Sequence, residues 1–246
     1  MAKAKVRASD AVRLEWLRRV EAEYTSAAVT QHTTLWLIQI GASPDLIRAG
    51  MRIAGDEMVH AQLSHRAYTV AGGDRPPHLV RERLGLRRHD VEPLEYDVAR
   101  VAVNTFCIGE TVAVPLFKTL RDHCTVPVAR RVLDRVLRDE VRHRDFGWAL
   151  LTWLFEHPLG QELRGLTTRE LPRFFANIRV AYGTAIRHLS EIPSADRQWG
   201  LMSPAEYVSV VERSLTRDWI PRFGALGIDA NRAWEAAALP NTAAGG

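Results

Sequence analysis

Apolar residues recur every three to four positions along most of the 246-residue chain, and strict alternation is scarce, so the pattern predicts an all-α protein. A first helix is expected over residues 10–40. Gly41-Ala-Ser-Pro44 reads as a turn, with Ser43 as the N-cap, Pro44 in the first helical position and Asp45 in the first turn. The second helix then runs to Ala71, where Gly72-Gly73 stops it. Residues 72–94 are rich in Pro, Gly and Arg and read as a long crossover with one helical turn near 79–86. A third helix is expected over 94–123, kinked by the lost backbone donor of Pro115. After a short turn at Thr125–Pro127 comes a fourth over 128–157, ended by Pro158 and Gly160. Thr167-x-x-Glu170 and Ser203-Pro204-x-Glu206 have capping-box spacing and predict helices over 168–190 and 204–226. A short last helix is expected over 230–238, followed by a frayed tail. Two long hairpins joined by a long crossover describe a four-helix bundle over about 10–157. A helical extension over about 158–238 completes a single domain spanning 1–246.

The polar interruptions of the apolar stripes carry the chemistry. The fourth helix presents Leu133, Val136, Glu140, His143, Gly147, Leu150 and Leu154 on one face. The second presents Ile53, Glu57, His60, Ser64 and Ala67, and the third Val103, Phe106, Glu110, Ala113 and Phe117. A carboxylate buried in an apolar seam is costly. That cost falls if several acids share a multivalent cation, and Glu and His at i, i+3 lie on one face where they can bind it together. Oxygen-rich ligation with one imidazole per metal suits iron or manganese better than structural zinc. The first helix should supply a fourth acid. Glu21 and Glu23 point about 160° apart, each within a largely apolar stripe. The second hairpin sets Glu110 and Glu140 30 residues apart; Glu23 is 34 from Glu57 and Glu21 is 36, so the spacing favours Glu23, with Glu21 as the alternative. Taken singly, each acid is equally a solvated helix residue, Glu140 pairing with Arg144 or Asp56 with Arg52.

The order Glu, Glu-x-x-His, Glu, Glu-x-x-His over residues 10–157 resembles the ferritin-like di-iron carboxylate superfamily. Asp139-Glu140-Val-Arg142-His143 has the Asp-Glu-x-Arg-His form of its oxygen-activating branch, which includes bacterial multicomponent monooxygenases and acyl-carrier desaturases; Asp56-Glu57-Met-Val-His60 shares the leading Asp but has Val59 in place of Arg. The resemblance implies a ferritin-like bundle holding two iron ions, with manganese as an option. Glu57 and Glu140 would bridge, His60 and His143 would each cap one iron, and Glu23 and Glu110 would be terminal. Glu57, Glu110 and Glu140 would stand at the reacting centre. Asp56, Asp139 and Arg142 would stand behind the ligands, each Asp accepting a hydrogen bond from the His of the other motif. The implied activity is O2-dependent oxidation of a small, largely apolar organic substrate, fed by an external electron donor such as a reductase or ferredoxin. Gly109 and Ala113 would leave room for a pocket lined by Phe106, Val114 and Phe117. Val114 stands four after Glu110, where the multicomponent monooxygenases carry a Thr near this ligand.

Two other readings compete: a ferroxidase or rubrerythrin-like peroxide-reducing protein, and a metal-free binding module. The long extension after the fourth helix, with Phe174, Phe175, Tyr182 and Trp199, exceeds what an iron store needs. No Cys-x-x-Cys pair marks a rubredoxin-like domain. Composition changes the picture little. Lys and Arg number 33 against 29 Asp and Glu, a net +4, and the sequence pI is about 9.4. The basic residues are mostly arginines alternating with acids, as in Arg131-Val-Leu-Asp134-Arg135 and Arg138-Asp139-Glu140, which reads as solvated helix face rather than a nucleic-acid surface. Cys107 and Cys124 read as free thiols, Cys107 as a small core residue, and Trp148 and Phe146 as core. With no signal-peptide pattern and no apolar run approaching the roughly 18 residues needed to span a bilayer, a cytoplasmic protein without a membrane partner is expected. A homodimer is compatible with this reading.

Overall fold

A computed structural model describes residues 8–183 and 191–237; the tail from residue 238 and the end of the helix expected at 168–190 lie outside them. The described residues form helices joined by turns and loops, with no strand among them. The long helices are α1 (Asp10–Gln39), α2 (Pro44–Val70), α3 (Leu94–His123), α4 (Pro127–Glu156) and α5 (Gly160–Gly183). A single turn α6 (Ser194–Arg197), a helical run over 204–225 and α7 (Ala230–Ala237) follow. The chain divides into two compact units. α3 changes unit at 115/116 and α4 at 142/143.

In the first unit (residues through 88, 116–142 and 191–203), α1 and α2 form an antiparallel hairpin. The Ser9 hydroxyl accepts from Val12 N and that of Ser43 from Leu46 N, satisfying amides that would otherwise be orphaned at the helix starts. Gly41 takes φ +69° in the turn between them, a conformation that costs glycine nothing. The buried seam of α1 runs through Val12, Trp16, Val20, Glu23, Ala27, Thr30, Thr34 and Leu37. Gly50 of α2 admits the Thr34 side chain; a Cβ there would stand 2.5 Å from Thr34 Oγ1. The segment after α6 docks on α1: Trp16 Nε1 donates to Trp199 O (3.2 Å) and Arg19 Nη2 to Gly200 O (2.8 Å). The crossover crosses the hairpin with a single 3-10 turn at Arg81–Arg83.

In the second unit, α3 departs from α geometry over Ala102–Glu110, a π-helical stretch that ends on Glu110, ahead of Pro115 rather than at it. A second π stretch, Leu215–Trp219, interrupts the run 204–225, and the indole of Trp219 donates to the carbonyl of Cys107 in the first (3.2 Å). Phe175, Trp219, Phe223 and Trp234 form one aromatic cluster. α5 begins eight residues before the start that the Thr167 signal predicts. Thr167 is buried inside the helix, its hydroxyl donating to Leu163 O (2.8 Å), and Leu163, Leu166 and Leu171 extend the apolar stripe back to Pro158. Contrary to the expectation that no apolar run approaches spanning length, α3 is such a span. It reaches a mean hydropathy of 1.2 over 18 residues, long and apolar enough to cross a membrane, with 56% of that window buried in the protein.

Gly147 of α4 lies against the backbone of Phe106: a Cβ would stand 2.5 Å from Phe106 Cβ and 2.8 Å from its carbonyl carbon. Gly147→Ala should therefore destabilise by about 1–3 kcal/mol through overpacking, seen as a lowered thermal midpoint. An unchanged midpoint would show that the helices separate freely there.

Candidate metal centre

The hairpin's antiparallel pairing sets Glu23 of α1 level with Glu57 and His60 of α2. One donor atom from each of the three lies within 4.8 Å of the others, and all three residues are buried. His60 Nδ1 is 3.3 Å from Glu57 Oε2, 3.8 Å from Glu23 Oε2 and 4.0 Å from Glu140 Oε1 of α4. Its other nitrogen, Nε2, is 3.1 Å from Asp139 Oδ2. Thus one imidazole faces three carboxylates through Nδ1 and a fourth through Nε2. Glu21, the alternative on α1, is on a different face and accepts from the backbone of His78 (2.7 Å).

Electrostatics follow from this convergence. Burial pushes the Glu23 carboxyl up to about 8, reinforced by the neighbouring Glu57 and opposed by the bond from His60. Burial disfavours a charged His60, but the bonds to Glu23 and Glu57 outweigh it and lift the imidazole to about 11. These carboxylates thus favour the protonated form of His60. A divalent cation competes with the Nδ1 proton for the same lone pair. Buried carboxylate oxygens with one imidazole nitrogen form a donor set that could hold a metal ion.

The aspartates are held differently. Asp139 is fully buried; burial raises its carboxyl, yet bonds from Arg135, Arg142 and His60 outweigh that and hold it well below the usual carboxylate range. Arg142 Nη2 bridges Asp139 Oδ1 (2.7 Å) and Asp56 Oδ2 (2.9 Å). Arg135 pairs with Asp139 through Nε and with Asp56 Oδ1 through Nη2 (3.3 Å). The two arginines of α4 thus clamp an acid of α2 to an acid of α4. Asp139 receives the His60 bond expected of it; the partners shown for Asp56 are the two arginines. The stretch 131–140, read from sequence as solvated, instead turns Arg135 and Asp139 inward. Arg144 pairs with Asp145 and not with Glu140.

Glu110 and His143 belong to the second unit. Glu110, 8% exposed, closes the π stretch of α3, and His143 is fully buried one turn beyond Glu140 on α4. Two side chains escaped the sequence reading. Ser26 donates to Glu57 Oε1 (2.9 Å) and stands three residues after Glu23, a spacing that marks it as sharing that face. Arg135 stands four before Asp139, an equally readable pair. His89, Glu92 and Asp97 also cluster, but Arg100 fills the cation position there, reaching Glu92 (2.6 Å) and Asp97 (3.0 Å). Of two cavities in the first unit, one adjoins Arg13 and Tyr68 and the other lies beneath the crossover; neither is lined by Phe106, Val114 or Phe117.

Compared with known protein families and with curated proteins, the sequence matches none.

Two substitutions separate the acids of α1. Glu23→Ala should abolish tight binding of a divalent metal, whereas Glu21→Ala should leave it intact and change stability by no more than about 0.5 kcal/mol. Asp139→Asn should weaken the metal by about 10–100-fold, because the bond that orients His60 is altered. Equilibrium dialysis with Fe(II) under argon reads both. Metal lost in Glu21→Ala and kept in Glu23→Ala would reverse the assignment.

Proposed function

We propose that this chain is a ferritin-like non-haem di-iron oxidase or oxygenase, acting with O2 on a small, largely apolar organic substrate. The observation that carries the reading is the convergence of Glu23, Glu57 and Glu140 on His60 Nδ1, with Asp139 behind Nε2. In this reading α1 to α4 are the bundle helices. His60 and Glu23, with Glu57 and Glu140, would hold one iron, and Glu110 and His143 of the second unit would supply the further ligands that the resemblance implies. Once bound, the irons supply the redox chemistry with O2 that side chains alone lack. Manganese fits the same donors.

The remaining work falls to the chain itself. Asp139, kept ionised by Arg135 and Arg142, holds a proton on His60 Nε2, so Nδ1 presents its lone pair to the cation. Ser26 fixes one oxygen of Glu57, limiting the ways this carboxylate can swing. The apolar seam around Trp16, Val20, Ala27 and Ile53 keeps water out. The π stretch ending on Glu110 supports the reading as well, since such departures concentrate at functional positions. Electrons would come from an external reductase or ferredoxin.

Anaerobic loading with Fe(II) followed by exposure to O2 tests the reading. Two irons per chain are expected, with O2 consumed and no growth in particle size by light scattering. A single tightly held zinc, or no metal, contradicts it. Hundreds of irons per particle would indicate iron storage, and turnover of hydrogen peroxide without an organic substrate would indicate a rubrerythrin-like role.

A further inference from the structure

A groove of about 520 Å³ opens on the α1–α2 hairpin beneath the crossover. Its floor is Ala27 and Ala54, each 7% exposed. Ala27 is four residues after Glu23 and Ala54 three before Glu57. In an antiparallel hairpin these offsets run the same way along the axis, so the floor lies about one helical turn, roughly 5 Å, from the carboxylate cluster. Gly55 lines the groove beside Ala54, and a Cβ added there meets nothing within 4 Å. A glycine within a helix weakens it relative to alanine, and no close contact requires this one. What its missing side chain supplies is space.

The walls are adaptable, and charge stands close by on the crossover. Met51 and Met58, exposed by 52% and 37%, edge the groove with flexible thioethers. Leu79 and Leu84 reach it from the crossover, which is tied down on both sides: His78 N donates to Glu21 Oε1 (2.7 Å) and Leu86 N to His32 Nδ1 (3.0 Å). Between and just beyond these ties stand Arg81, Arg83, Arg87 and Arg88, all exposed, against the single acid Glu82. Among the described residues, none of these four arginines is paired with a carboxylate. The groove thus has an apolar lining at a volume ordinary for a small-molecule ligand, and exposed arginines stand on the same segment as Leu79 and Leu84, outside the lining itself.

We propose that this groove binds a small amphipathic organic anion. Its apolar body lies on Ala27, Ala54 and Gly55, and its charged head points to the arginines of the crossover. That the bound anion is also the substrate rests on the di-iron reading; its binding does not.

Calorimetric titration of the full-length chain with decanoate, 1-decanol and decyltrimethylammonium tests the proposal, with Fe(II) stoichiometry and thermal midpoint measured alongside. Decanoate should bind one per chain, about tenfold tighter than decanol, and the ammonium should bind weakest. Gly55→Leu, at a position where an added Cβ meets nothing within 4 Å, should cut decanoate affinity at least about tenfold while iron stoichiometry and midpoint hold. The double variant Arg81→Glu, Arg83→Glu, wholly at the surface, should weaken decanoate and spare decanol. Equal affinity for the three probes overturns the proposal, as does decanoate binding that ignores Gly55→Leu. So does a dimer in the unaltered chain that Gly55→Leu converts to monomer, since the groove would then seat a second copy. Two irons bound with no decanoate bound defeats the groove alone; decanoate bound with no iron taken up defeats the metal centre alone.

Discussion

Three carboxylates and one imidazole meet inside the hairpin seam, where water cannot share their charge. A single buried ion pair can balance desolvation with good geometry; three acids facing one imidazolium cannot be balanced by that imidazolium alone. The seam answers locally by lifting the Glu23 carboxyl to about 8 and the His60 imidazole to about 11. Burial is the main cause of the first shift, and the bonds to Glu23 and Glu57 outweigh burial in the second. A divalent cation bound there would take the place of the Nδ1 proton and bring two charges to the acids. Much of the surrounding structure serves to hold these groups in place, from the caps that set the register of α1 and α2 to the small residues that let the helices approach.

The clamp around Asp139 and Asp56 is the complement of this arrangement. There the acids are matched by Arg135 and Arg142, both about one third exposed at the side chain, so their charge is satisfied without a metal. The clamp ties α2 to α4 and fixes the ring of His60 through Nε2. Matched acids therefore act as a frame, and the crowded acids next to them are the ones that could hold a metal ion. On the same hairpin, Leu14, Leu35 and Met51 stay half exposed.

Much of this was legible from residue order. The caps at Ser43 and Pro44 and the stop at Gly72 place α2 within a residue of its observed end, and Glu57 and His60 fall on the buried face that the period assigns them. The two apolar stripes of α1 were also visible, but which one faces α2 was decided only by a small difference in spacing. Burial of Glu23 and exposure of Leu14 follow from packing that no local pattern records. Arg135 was read as solvated because a charged helix face looks the same whether it meets water or another helix; its partner Asp56 is 79 residues away. The start of α5 was misplaced because a Thr hydroxyl that caps a helix and one that bonds back to a carbonyl four residues earlier look alike in sequence. The π stretch before Glu110 leaves no trace in the apolar period at all.

The central claim is that the buried acids are arranged for a cation and not for an ion pair complete in itself. Thermal unfolding of the chelated protein, repeated under argon with increasing Fe(II), tests it most directly. If the folded seam binds the cation and the unfolded chain does not, the midpoint rises with metal concentration, gaining about 4 kcal/mol of stability at a thousandfold excess over the dissociation constant. A midpoint that stays fixed across the titration, with either Fe(II) or Mn(II), would show that Glu23, Glu57, Glu140 and His60 are a structural network needing no metal.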